Sequence, residues 1–305
     1  MSAHAGQIQV KVLRFKGRLG RLSTQSPRWL MMFVLSRFEI VRATVTHLRR
    51  SASLADLPQG PSLFEDLDVD RAVERLRDDG YVPGIVLPSE TAGDILEFAR
   101  TAQARGNGDA ALGLRVSDAH AWEDENGMKL VKADFRAAAE RSLAVRMVTQ
   151  DPKLCEIAAR YLDAAPRPAR AGLWWSFACE STVEERLAAA PAQELFHYDA
   201  IDYRALFFFF YLTDVDETTG PHMVARGSHR RKKLGHRLSL FVGRSDAEML
   251  RYYGEESVLT VTGPAGTGFA EDPFCFHRGT PPMGGDRLMM RVEFRVADYS
   301  RAKEA

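Results

Sequence analysis

Seven consecutive apolar residues, Leu206-Phe207-Phe208-Phe209-Phe210-Tyr211-Leu212, do most to limit what this chain can fold into. Side chains alternate between the two faces of a strand, so a strand apolar at every position must be buried on both. It belongs at the centre of a sheet. Residues 171–179, 194–199, 204–212, 220–225, 258–262, 268–277 and 287–296 also have strand-like composition, with Gly, Pro, Asp and Thr clusters between them. The pattern predicts a double-sheet jelly roll, cupin-like, over 168–298.

The preceding part reads differently. Residues 68–80 keep helical apolar spacing and end on Gly80; 81–87 form a short strand; 89–105 form a second helix capped by Ser89. The Gly- and Asp-rich stretch 106–127 is expected to be a mobile loop or lid, and 133–165 to be helical with a break at Asp151-Pro152. The fold class is therefore α+β with a mainly β core: a double-stranded β-helix with flanking N-terminal helices, helical over 61–167.

A length of 305 residues suits one large domain, or one domain plus an extension, and 45% hydrophobic content suffices for its core. The first fifty residues stand apart, with ten Lys or Arg and a single acid, Glu39. Residues 27–50 read as one helix, with Ser26 as N-cap and Pro27 in the first turn. Such a basic helix can lie on an anionic membrane surface as a peripheral contact, or pack on the main domain. The Ser-, Pro- and Gly-rich segment 51–62 is the boundary, dividing an extension (1–60) from the main domain (61–305). The first apolar run, Trp29 to Leu35, is too short to span a bilayer and lacks the features of a signal peptide. Three scattered cysteines, Cys155, Cys179 and Cys275, show no disulfide framework or zinc spacing, which points to a reducing cytoplasm. A net charge of zero gives no argument for nucleic acid.

Two segments carry the chemistry, Phe196-His197-Tyr198-Asp199 and Phe276-His277-Arg278-Gly279. On a strand, His197 and Asp199 share a face, and His277 can add a second imidazole from a distant strand. Two His and one carboxylate, leaving other positions open, form the facial triad of non-haem Fe(II) oxygenases. On the strand 287–296, Arg287, Met289, Arg291 and Glu293 share one face. A planar guanidinium suits a buried carboxylate, so Arg287 can meet the far end of a dicarboxylate cosubstrate chelated to iron. Arg291 has the same parity and is the rival anchor.

With these residues, about 70–298 resembles the phytanoyl-CoA dioxygenase family of Fe(II)- and 2-oxoglutarate-dependent oxygenases. The resemblance lies in Phe196-His197-Tyr198-Asp199, Tyr211-Leu212-Thr213-Asp214-Val215-Asp216, Thr219-Gly220-Pro221-His222, Arg226-Gly227-Ser228-His229, His277 and Arg287. It implies a jelly roll, iron on His197, Asp199 and His277, and the distal carboxylate of 2-oxoglutarate on Arg287. It also implies that O2 oxidises 2-oxoglutarate to succinate and CO2 while a small or carrier-bound substrate is hydroxylated. Halogenating relatives carry a small residue at the carboxylate position, so Asp199 favours hydroxylation or a related oxidation.

Gln193, four residues before His197, can touch cosubstrate or substrate. Trp174 and Trp175 alternate between pocket wall and core. His222 and His229 are expected in a turn or behind the metal ligands, and Cys275 as a packed thiol. The run His229-Arg230-Arg231-Lys232-Lys233 is expected as a solvated loop, or as a receiver of an anionic substrate at the pocket mouth. It lacks the interleaved aromatics of a nucleic-acid surface. Two other readings remain at this point. A cupin-like metal enzyme not using 2-oxoglutarate predicts that neither Arg287 nor Arg291 reaches the pocket; a non-catalytic jelly-roll binding protein predicts that the three ligand residues do not converge.

Overall fold

The computed structural model describes residues 26–48, 57–109, 111–239 and 243–299. Its strands are β1 (Tyr81–Val86), β2 (Ala104–Gly106), β3 (Gly113–Leu114), β4 (Lys132–Asp134), β5 (Arg170–Ser176), β6 (Ala205–Tyr211), β7 (His222–Ala225), β8 (Val258–Val261), β9 (Thr267–Glu271), β10 (Phe276–Gly279) and β11 (Arg287–Arg295). They form a large sheet in the order β1-β9-β6-β11-β5-β4-β2-β3 and a small one in the order β10-β7-β8. Every pairing between named strands is antiparallel. This is the expected jelly roll, with helices on the outer face of the large sheet.

The apolar run is the two-sided strand that its sequence demands. Phe208 and Phe210 face outward into a core with Ala72, Leu76, Ile95 and Leu154 from the helices. Phe207, Phe209 and Tyr211 face inward and pack with Val224, Val261, Phe269 and Met289 between the sheets. The outer helices begin and end where their sequences specify. Asp68 caps Val69–Asp79 by accepting from the Arg71 amide, and Asp151 caps Pro152–Leu162 by accepting from Lys153 and Leu154. Gly80 ends the first of these at φ 66°, and a Cβ there would collide with the Cys275 thiol and the His229 ring.

Several expectations change. Residues 268–277 do not form one strand: β9 ends at Glu271, and the chain crosses to the small sheet before β10 starts at Phe276. Residues 194–199 form only isolated bridges, Phe196 to Arg244 and His197 to His277. Among the described residues of 106–127, a mobile loop gives way to β3 and the helix Ala119–Asn126, whose Trp122 is buried. A Cβ at Gly106 would collide with that indole, so this glycine makes room for the ring. Residues 133–165 start in β4 and break at Ser142 as well as at Asp151. Ser89 is the first residue of its helix, not its cap.

The single helix expected over 27–50 is two, Pro27–Leu35 and Glu39–Leu48, with Ser26 capping the first as expected; 49–56 lie outside the described residues. Both helices pack on the jelly roll. Met32 is buried with Tyr203 and Tyr299, and Phe33 with Tyr198 and Phe274. Arg37 donates to the Ser239 carbonyl at 2.7 Å, and Arg42 donates to the His229 carbonyl at 3.1 Å over the Phe274 ring. Buried guanidiniums are tolerable only with such partners. Among the described residues, no helix is long and apolar enough to cross a membrane.

Phe208→Ala should cost about 3–5 kcal/mol, because a fully buried ring between sheet and helices leaves a cavity that neither can fill. Urea unfolding measures it: the midpoint falls while the denaturant slope stays that of the parent.

Candidate metal centre

His197, Asp199 and His277 converge. Each offers one ligand atom, and these atoms lie within 4.8 Å of one another. The backbone brings them together without a continuous strand: His197 and His277 exchange both amide hydrogen bonds, at 2.9 and 2.8 Å, and the Asp199 amide donates to the Pro273 carbonyl at 2.8 Å. The two imidazoles lie edge to face with centroids 4.6 Å apart. Their Nε2 atoms approach Asp199 from two sides, at 3.9 Å for His197 and 3.7 Å for His277.

The far side of each ring is tied back. Nδ1 of His197 lies 3.0 Å from the Leu195 carbonyl, and Nδ1 of His277 lies 3.0 Å from the Cys275 carbonyl. A carbonyl can only accept, so each Nδ1 carries a proton and each Nε2 faces the centre as the atom available to a metal. His277 has a second partner, Glu271, whose Oε1 lies 2.8 Å from the same Nδ1. The other Glu271 oxygen accepts from His222 Nε2 at 2.8 Å. Glu271 is completely buried on the large sheet, yet clasps two imidazoles of the small one.

The charges follow from this packing. Burial works against an ionised Asp199, but His277, His197 and Arg291 outweigh it and hold the carboxyl well below the usual carboxylate range. Burial likewise opposes charge on Glu271, and His277 and His222 bring its pKa down. Burial lowers the His222 pKa despite Glu271, which keeps that ring a neutral donor. In His277, burial is overcome by Glu271 and Asp199, which raise its pKa.

A cavity of about 600 Å³ opens over the three ligand residues and reaches Gln193, Arg287 and Arg291. Arg287, 2% exposed, donates from Nη2 to Ser176 Oγ at 3.3 Å, and Gln193 Nε2 donates to the same hydroxyl at 3.1 Å. Nε and Nη1 of Arg287 and Oε1 of Gln193 are buried without a hydrogen-bond partner. Burial lowers the Arg287 pKa, opposed only by the Tyr211 phenol. Arg291 is engaged elsewhere, at 2.9 Å from Glu293 and over the Phe207 ring.

Trp174 lines the cavity and Trp175 the outer core, as their alternation requires. Cys275 is a buried thiol beside the Gly80 carbonyl and His229. The basic run is neither wholly solvated nor at the cavity. Lys232 is buried under the Tyr198 and Phe276 rings and donates to the Ser228 and Phe274 carbonyls. The sequence reading missed Glu271 and Ser176. An acid ending the apolar strand Gly268-Phe269-Ala270 was the available signal for Glu271; nothing local marks Ser176.

No family model matches the chain, and neither does any curated protein sequence. Solved structures do match. The epimerase SnoN in complex with Fe3+, alpha ketoglutarate and nogalamycin RO is 18% identical, with a TM-score of 0.50 over 75% of this chain and 84% of that one. EvdO2 from Micromonospora carbonacea var. aurantiaca, complexed with 2-oxoglutarate, is 14% identical, with a TM-score of 0.49 over 80% and 96%. EctD from S. alaskensis, with 2-oxoglutarate and 5-hydroxyectoine, is 17% identical, with a TM-score of 0.46 over 81% and 80%. The SnoN likeness shows a shared fold.

Glu271→Gln preserves volume but removes the charge behind His277. It should lower Fe(II) affinity about 10–100-fold, as loss of such supporting carboxylates does. Competition against a chelator, with circular dichroism to confirm the fold, measures this; parental affinity would show that Glu271 does not tune the ligand.

Proposed function

We propose that this chain is a non-haem Fe(II)- and 2-oxoglutarate-dependent dioxygenase that hydroxylates, or otherwise oxidises, a small or carrier-bound organic molecule, releasing succinate and CO2. One observation carries the reading: a single cavity is lined by a two-His, one-carboxylate cluster and by a buried arginine with two unpartnered N–H-bearing nitrogens. The donor set fits Fe(II), and three protein ligands leave positions for a chelating cosubstrate and O2. A buried cation without a partner is costly, and a carboxylate is the ligand that its planar fork fits.

His197 Nε2, His277 Nε2 and an Asp199 oxygen would hold the iron. Bound there with 2-oxoglutarate, iron supplies O2 activation coupled to oxidative decarboxylation of that cosubstrate. Arg287 and the Ser176 hydroxyl would anchor its distal carboxylate, with Gln193 orienting the hydroxyl. Arg287 suits this anchor better than Arg291, since Arg291 already has Glu293. Trp174 and Met289 wall the cavity and exclude water from the reacting groups.

Both rival readings lose their support, since the ligand residues converge and both arginines line the cavity. We place the chain in the phytanoyl-CoA dioxygenase family on the motifs around His197, Gly220 and Ser228. We assign it to the cytoplasm on its cysteine usage. The helices over 27–48 serve as part of the domain in preference to a membrane contact, a reading supported by the burial of Arg37 and Arg42 against it.

Anaerobic addition of Fe(II) and 2-oxoglutarate to metal-free protein should produce the visible metal-to-ligand charge-transfer band of chelated 2-oxoglutarate. Asp199→Ala should abolish the band. Arg287→Gln should weaken 2-oxoglutarate binding at least about tenfold, and more than Arg291→Gln does. A folded, iron-loaded protein that gives no band would sink the proposal; a larger effect at Arg291 would move the anchor there.

A further inference from the structure

We propose that the organic substrate of this cavity is an anion, and that Lys132, beside the paired Arg105 and Arg291, receives its carboxylate or phosphate group next to Trp174. This rests on the iron and 2-oxoglutarate reading above and names the substrate class for it.

The register of the large sheet puts these groups together. Residues opposed across antiparallel strands share a face. Lys132 opposes Ser176, which opposes Arg287 on its other side. In the next row Arg105 opposes Asp134, Asp134 opposes Trp174, and Trp174 opposes Met289. Arg291 follows on the same face, opposite Gly172. Neighbouring strands lie about 4.8 Å apart, so Lys132 sits one strand from Trp174, with Arg105 one strand beyond it and Arg291 on the opposite side of the indole. All line the cavity that holds the metal-ligand residues.

Charge balance then points to a ligand. Asp134 is paired with Arg105, and Glu293 is shared by Arg291 and Arg295. Lys132 forms no ion pair among the described residues; its ammonium lies 5.7 Å from the Trp174 ring. Burial pulls the Lys132 pKa down, Asp134 opposes this, and Arg291 and Arg105 lower it further. Asp134 and Glu293 compensate the two arginines, which leaves the half-buried Lys132 ammonium as the cation of the three with no counter-ion among the described residues, and an anion beside it would offset that cost. The cosubstrate does not discharge the cluster. Fe(II) brings two positive charges and 2-oxoglutarate two negative ones, and Arg287 lies on the distal carboxylate. The basic run at 229–233 has no part in this, because it does not line the cavity.

The test uses phenyl phosphate as probe and phenol as its neutral counterpart, with benzoate in parallel to tell a phosphate from a carboxylate preference. Each is titrated anaerobically into protein loaded with Fe(II) and 2-oxoglutarate, reading tryptophan emission and the shift of the charge-transfer band. At least one anion should bind saturably and at least about tenfold tighter than its neutral counterpart. Lys132→Met should remove that preference, Lys132→Arg should restore it, and both should keep the 2-oxoglutarate band. Phenol binding as tightly as the anions, no saturable anion binding, or a preference that survives Lys132→Met would overturn the inference. A 2-oxoglutarate band weakened by Lys132→Met would also overturn it, since Lys132 would then serve the cosubstrate. If the parent gives no band, the iron reading fails by itself. The same titration in metal-free Arg287→Gln protein, followed by tryptophan emission, then decides the anion site alone: saturable binding lost in Lys132→Met upholds it, and no binding overturns it.

Discussion

The register of β11 between β5 and β6 is the constraint on which the rest of this molecule depends. Arg287 opposes Ser176, Met289 opposes Trp174 and Tyr211, and Arg291 opposes Gly172 and Phe209. A slip of one residue would turn Leu288, Met290 and Val292 into the cavity and bury the arginines among the outer helices. The apolar face of β11, whose Phe294 packs edge-on against Phe208 in the outer core, makes that slip prohibitive. Hydrophobic burial on one side of the strand thus sets the polar chemistry on the other.

Glu271 does the corresponding work between the sheets. Its backbone pairs with Phe207 and Tyr81 in the large sheet, while its side chain engages His222 and His277 in the small one. The ring of His222 lies between Phe209, Phe269 and His277, so the polar clasp is packed in aromatic side chains. The low dielectric there strengthens each contact and penalises any that breaks. The position of His277 is therefore fixed from behind by the same packing that joins the two sheets.

Much of this was legible in the sequence, wherever the signal was local. The period-2 pattern of 287–296 and the unbroken run 206–212 marked an edge of the cavity and the centre of the sheet. His-X-Asp at 197–199 pointed to two of the three residues that converge, although those residues do not sit in a regular strand. What was not legible depends on pairing between distant segments. Ser176 matters because β5 happens to oppose Arg287. Lys132 lies just before the stretch read as helix, in residues given no reading, and only its pairing with Ser176 brings it to the cavity. The basic run misled for the converse reason: charge in sequence suggests solvent, but Lys232 finds two carbonyls and two aromatic faces inside the fold.

The bridge between His197 and His277 has one more consequence. The two imidazoles belong to segments eighty residues apart, yet their backbones are joined by a reciprocal pair of amide hydrogen bonds. The main chain thus fixes how far apart the two imidazoles are anchored. Ordering of the ligands is completed when the chain folds, so little conformational entropy remains to be lost on coordination. A metal held there would meet two imidazoles whose anchoring points the fold has already set.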